Sequence, residues 1–184
     1  MNLPNKITTA RLILVPVFIA CFYLERTEAK VLTMLVFVVA SVTDFFDGYI
    51  ARKQNLITNY GKVMDQIADK VLVCTALILM TESGRIPAIV TIVFIARDLL
   101  VGGIRVVAAK QGTVIAAGMA GKIKTAVQMF AMILFLLFNP KNPATFMPKP
   151  LVYTAHGLLW LSVLLALISA YEYVSSQKEL FRDR

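Results

Sequence analysis

The chain has 184 residues, 58% hydrophobic and 16% charged, and its mean hydropathy is +0.73; an ordinary soluble domain is about 45–50% apolar and about 25% charged. Such a composition excludes a disordered chain, a collagen-like chain and a typical cytosolic enzyme. The net charge of +8, from 19 Lys and Arg against 11 Asp and Glu, does not call for nucleic acid: the basic residues sit at the ends of apolar blocks, where anionic headgroups and the positive-inside bias account for them.

A helix that spans a bilayer needs about 20 mostly apolar residues. Six candidates follow one another, over residues 10–25, 31–51, 61–80, 86–108, 120–138 and 151–171. Residues 1–10 are too polar to span and contain Pro4, and are predicted to form a short helix on the cytoplasmic surface. Lys6 and Arg11 resemble the basic start of a signal peptide. Apolar sequence runs on past Cys21 and five more blocks follow, so the first block is read as retained. Charges and breakers separate the blocks at 25–30, 52–60, 82–85, 110–118 and 139–150, the last holding Pro140, Pro143, Pro148 and Pro150.

Cys21 and Cys74 lie in separate blocks without metal-ligand spacing and read as packing residues; His156, the sole histidine, reads likewise. Gly102 and Gly103 are expected to allow a helix contact, and Gly118 to Gly121 resemble a small-residue start to the fifth span. Tyr153, Trp160 and Tyr173 are placed as interfacial anchors of the last span. With the N-terminus cytoplasmic, the inside segments hold eleven Lys and Arg (Lys6, Arg11, Arg52, Lys53, Lys62, Lys110, Lys122, Lys124, Lys178, Arg182, Arg184). The outside segments then hold five: Arg26, Lys30, Arg85, Lys141 and Lys149. The expectation is an all-α membrane protein: one domain over residues 1–184, six transmembrane helices, both termini cytoplasmic.

The acidic residues carry the chemistry. Glu25, Glu28, Glu82, Glu172 and Glu179 lie in connections or at the end of the last span, whereas Asp44, Asp47, Asp65, Asp69 and Asp98 fall within or at the edges of spans. An ionisable residue in a span is costly and marks function by default. Asp44 and Asp47 are i,i+3 and Asp65 and Asp69 are i,i+4, so each pair shares a helix face. The pairs flank the 52–60 connection, which sets four carboxylates at one end of neighbouring antiparallel helices. Such like charges need compensation. Two hard divalent cations, Mg²⁺ or Mn²⁺, supply it and share carboxylate oxygens with phosphates. Gly48 and Gly61 permit close approach of a helix or a phosphate, and Arg52, a turn beyond Gly48, offers a forked donor to phosphate.

The pattern Asp44-x-x-Asp47-Gly48-x-x-Ala51-Arg52, then eight residues, then Gly61-x-x-x-Asp65-x-x-x-Asp69 resembles the signature of the CDP-alcohol phosphatidyltransferases at every fixed position. The chain length and the six blocks agree. The resemblance implies a metal-dependent enzyme, a homodimer in the bacterial plasma membrane with its active site at the cytoplasmic face. Such an enzyme transfers a substituted phosphate from a CDP-linked donor to an alcohol and releases CMP. It implies that Asp44, Asp47, Asp65 and Asp69 hold the metals and that Asp69 also serves as general base on the acceptor hydroxyl. Asp44, Asp47, Gly48, Ala51 and Arg52 match the part of the motif that receives the CDP group, with Gly61 packing beside it.

Arg97 and Arg105 lie in the fourth block, eight residues or about 12 Å apart along a helix, and Lys122 and Lys124 open the fifth. Arginines inside a membrane need anionic partners, and a phosphate-bearing acceptor is one; pairing to Asp98 or to carbonyls is the structural alternative. The segments Pro4-Asn5-x-Ile7-Thr8-x-x-Arg11, Arg97-Asp98-x6-Arg105 and Gly121-Lys122-x-Lys124-Thr125-x-x-Gln128 resemble bacterial phosphatidylglycerophosphate synthases, with Asp98 standing where Glu is expected. That likeness implies CDP-diacylglycerol as donor and sn-glycerol 3-phosphate as acceptor, with Arg105 and Lys124 on the acceptor phosphate and Arg97 and Lys122 behind them. A cardiolipin synthase taking phosphatidylglycerol is the alternative within the family. A small cation-coupled transporter is the alternative outside it, although carboxylates gathered at one end do not suit a midplane site.

Overall fold

The long apolar runs become helices, and the proline and glycine clusters end them. In the computed structural model, six α-helices are found among the described residues: α1 (Leu3–Tyr23), α2 (Thr27–Lys53), α3 (Asn59–Glu82), α4 (Ala88–Lys110), α5 (Met119–Leu137) and α6 (Lys149–Ser176). The structure describes residues 3–24, 27–53, 59–110, 118–137 and 148–176; within them the side chains at 3–8, 27–28, 44–53, 59–66, 69, 109–110 and 149 are outside the description. No strand occurs among these residues. The helices are 19 to 28 residues long, about 29–42 Å at 1.5 Å per residue. α5 and residues 150–176 of α6 are long and apolar enough to cross a membrane. Residues 3–10, expected as a separate surface helix, are the first turns of α1. Pro4 sits in that first turn, where a missing N–H costs nothing, and Pro16 lies inside the same helix.

α3 ends in a glycine cap. Gly84 has φ of 68°, a left-handed conformation that glycine adopts without penalty. Its N–H donates to the Thr81 carbonyl at 3.0 Å, and the Arg85 N–H donates to the Met80 carbonyl at 2.8 Å. This pair of bonds satisfies two of the orphan carbonyls at a helix C-terminus. Pro87 then precedes α4, accepting from the Val90 N–H at 3.0 Å.

The chain forms two compact units. In the first, α1, α2 and α3 pack on one another around Phe18 and Phe37, whose rings lie 5.9 Å apart, with Ala68, Leu72, Leu77 and Met80 from α3. Arg11 of α1 is also fully buried in this unit, and neither Cys21 nor Cys74 is in a disulfide. In the second unit α4 packs on α6, and α5 contributes its residues up to Leu134; Val90, Phe94, Val101, Leu159, Val163 and Ala166 are buried.

Polarity in the second unit is inverted relative to a water-soluble protein. Leu99 (69% exposed), Ile92 and Leu164 face outward, while Lys124 (1%), Gln128, Ser162 and Ser169 are buried. A soluble monomer seldom shows a large contiguous apolar surface, and ionisable groups of membrane helices turn to the bundle interior. The arrangement is that of a helical membrane protein.

Candidate functional site

Two groups of sequence-predicted residues fall in two different units. Asp44, Asp47, Gly48, Ala51 and Arg52 lie in the second half of α2, and Gly61, Asp65 and Asp69 in the first half of α3, both in the first unit. Asp47 lies six residues before the end of α2 and Asp65 six residues after the start of α3, each about 9 Å into its helix. Asp44 and Asp69 lie about one turn deeper. The side chains of these four aspartates lie outside the described residues. As a donor set, four carboxylates are what hard divalent cations take. Among the described residues no three His, Cys, Asp or Glu side chains stand together.

The second group is seen in full. Asp98 of α4 accepts at one oxygen, Oδ1, from Arg97 Nη1 at 2.9 Å and from Lys124 Nζ of α5 at 3.1 Å. Arg97 Nη2 donates to Ser169 Oγ of α6 at 2.6 Å. Two turns along α4, Arg105 donates through Nε and Nη2 to the Tyr173 hydroxyl at 3.2 and 2.9 Å, and its guanidinium lies 5.4 Å from that ring's centre. Lys124 Nζ also sits 5.2 Å from the centre of the Phe94 ring. Arg97 and Ser169, then Arg105 and Tyr173, follow the same order along their helices, so α4 and α6 run in one direction.

The side chains of Arg97, Asp98 and Lys124 are 10%, 15% and 2% exposed, so these charges act where water screens them little. Arg97 and Lys124 share Asp98, and Arg105 follows two turns further along α4 on Tyr173. Arg97 Nε is buried without a hydrogen-bond partner, a donor that an incoming oxygen could take and that otherwise carries a desolvation cost.

Several expectations change. Lys122 is exposed: two residues from Lys124, it points about 200° around α5 and does not join the Asp98 group. Tyr173 is not an interfacial anchor; it is buried at 6% exposure and packs with Val101 and Ile104. Trp160 lies mid-helix rather than near an end of α6. Among the described residues nothing lies within 4 Å of a Cβ built on Gly102, Gly103 or Gly118, so the expected close helix contact is not seen there. Gly121 does meet neighbours, the tips of Arg97 and Ser169. Ser169 and Tyr173 were missed from sequence: their only signal is an i,i+4 pair of polar groups on α6 matching the Arg97–Arg105 face of α4.

The sequence model of the CDP-alcohol phosphatidyltransferase family matches residues 1–168. Curated relatives named CDP-diacylglycerol–glycerol-3-phosphate 3-phosphatidyltransferase include one from Bacillus subtilis, 42% identical over 98% of this chain and 97% of its own. One from Rickettsia felis is 37% identical over 98% and 97%, and one from Salmonella typhimurium is 34% identical over 96% and 95%.

Proposed function

We propose that this chain, which belongs to the CDP-alcohol phosphatidyltransferase family, transfers the phosphatidyl group of CDP-diacylglycerol to sn-glycerol 3-phosphate, giving phosphatidylglycerophosphate and CMP. The names of its relatives support that reaction. The observation that carries the choice of acceptor is the Arg97–Asp98–Lys124 cluster with Arg105 beside it. Two guanidinium groups and an ammonium on neighbouring helices suit a phosphate-bearing acceptor, because charged N–H donors bind phosphate oxygens strongly. Arg105, Lys124 and Arg97 hold the acceptor phosphate in this reading. Lys122, on the other face of α5, is left out.

Asp44, Asp47, Gly48, Ala51, Arg52 and Gly61 receive the CDP group, and Asp44, Asp47, Asp65 and Asp69 hold one or two divalent cations. When bound, those cations would offset the charge of the diphosphate and of the departing CMP. Asp69 takes the proton of the acceptor hydroxyl as its oxygen bonds to the phosphorus that carries diacylglycerol. The bond from that phosphorus to the CMP oxygen breaks, and the electron pair leaves with CMP. The chain works as one domain, a homodimer of six-span subunits in the bacterial plasma membrane, its aspartate end cytoplasmic; the resemblance and the Lys and Arg distribution support this.

The test is a purified preparation in detergent, given CDP-diacylglycerol, Mg²⁺ and in turn glycerol 3-phosphate, glycerol, serine or phosphatidylglycerol. CMP release and a labelled lipid are expected only with glycerol 3-phosphate, and chelation by EDTA should abolish both. Turnover with phosphatidylglycerol alone would make the chain a cardiolipin synthase. Activity untouched by EDTA would remove the metal from the reading.

A further inference from the structure

Three helices of the second unit meet at one guanidinium. Arg97 of α4 is tied to Asp98 through Nη1 at 2.9 Å and to Ser169 of α6 through Nη2 at 2.6 Å. The first turn of α5 passes directly over this contact. A Cβ built on Gly121 would lie 3.1 Å from Arg97 Nη2 and 3.4 Å from Ser169 Oγ. The first distance is tighter than ordinary van der Waals contact, so any side chain at 121 must push one of two groups that already hold each other. Gly121 is helical with no unusual φ, so the helix backbone itself does not demand glycine there. The other glycines of this unit whose surroundings are described, Gly102, Gly103, Gly118 and Gly157, have nothing within 4 Å of such a Cβ.

We propose that Gly121 and Ser169 are positioning residues for acceptor binding: Ser169 fixes the Arg97 guanidinium, and Gly121 leaves the clearance that lets it do so. The effect extends to Lys124, because Arg97 and Lys124 share the same oxygen of Asp98. A guanidinium displaced from Ser169 pulls on that oxygen and shifts the ammonium with it. Neither Gly121 nor Ser169 needs to touch the substrate. Ser169 is 1% exposed and acts through the arginine. The inference rests on the reading of Arg97 as a group that holds the acceptor phosphate.

Steady-state kinetics of the full-length enzyme in detergent test it, with glycerol 3-phosphate and CDP-diacylglycerol varied separately. Ser169→Ala removes a hydrogen bond to a charged group and should raise the KM for glycerol 3-phosphate about ten-fold, with the KM for the lipid donor unchanged. Gly121→Ala should do the same. The double variant should raise that KM no further than the worse single change, because both act on one guanidinium. Multiplied effects would mean independent roles and overturn the proposal. A purely structural role lowers the active fraction, hence the apparent kcat, and leaves both KM values in place, which also overturns it. Should Gly121→Ala fail to fold, Ser169→Ala decides alone by the same split. Arg97→Ala separates this inference from the reading beneath it. If that variant raises the KM for glycerol 3-phosphate while Ser169→Ala and Gly121→Ala do not, positioning falls and the acceptor site stands. If Arg97→Ala leaves that KM in place, both fall.

Discussion

Asp98 shows how one carboxylate makes a cationic pocket tolerable. Arg97 and Lys124 are nearly buried, and each would be costly if left alone in a medium of low dielectric. By accepting from both at Oδ1, Asp98 offsets part of the cost of burying them. The shorter side chain found where Glu was expected still reaches both donors, because Arg97 is its neighbour on α4 and Lys124 comes in from α5. Asp98→Ala should therefore lower the stability of the ligand-free protein by about 3–5 kcal/mol, the usual cost of leaving a buried charge uncompensated. Asp98→Glu keeps the charge and should stay much closer to the unsubstituted protein. Thermal unfolding in detergent reads both. Equal loss in the two variants would show that fit at this position, rather than charge, sets the stability.

At the scale of elements, the connection between α3 and α4 is held by more than its glycine cap. Arg85 Nη1 donates to the carbonyls of Phe135 and Leu136 at 3.1 and 3.0 Å, in the last turn of α5, and its guanidinium lies 4.6 Å from the centre of the Phe22 ring. Those carbonyls belong to the orphan acceptors of a helix C-terminus, where a cation also meets the negative end of the dipole. Burial pulls the Arg85 pKa down to about 10, still well above neutrality, so the cap stays charged. Arg85→Met keeps much of the apolar contact with Phe22 and removes both donors. It should cost about 2–3 kcal/mol in thermal unfolding, with the KM for glycerol 3-phosphate unaltered because Arg85 is not among the residues proposed to hold the acceptor. No change in the melting midpoint would show the two carbonyls satisfied without it.

The same scale explains what could be read from the chain. The six helices were legible because apolar runs are long and their interruptions carry proline, glycine and charge. The aspartate pattern was legible because a carboxylate is conspicuous against apolar sequence. Which faces meet was not. On α6 the outward residues Leu164, Leu167 and Ile168 are as apolar as the buried Leu159, Val163 and Ala166, so no amphipathic stripe shows the side that packs on α4. Ser169 and Tyr173 could be placed in the cluster only once the helices were placed. A Cβ built on Gly102 or Gly103, conspicuous in the sequence, would meet nothing within 4 Å among the described residues, whereas one on Gly121 would.

For the whole molecule, the decisive property is the solvent that its charges imply. Apolar side chains cover the outside of the second unit and cations lie within it, an arrangement stable only if much of the surface meets lipid. Orientation then rests on the eleven Lys and Arg assigned to the cytoplasmic segments against five outside. In the proposed six-span arrangement both termini and the link between α2 and α3 would share one face, and the link between α5 and α6 would take the other. Cysteine accessibility tests this in a background with Cys21 and Cys74 replaced by alanine. With a membrane-impermeant maleimide, Lys141→Cys should label in intact cells, whereas Lys53→Cys and Lys178→Cys should label only after permeabilisation. The inverse pattern would turn the aspartate end outward, away from the cytoplasmic pool of nucleotide. Labelling of Lys141→Cys and Lys178→Cys from the same side would mean that α6 does not cross, and the six-span reading would fall with it.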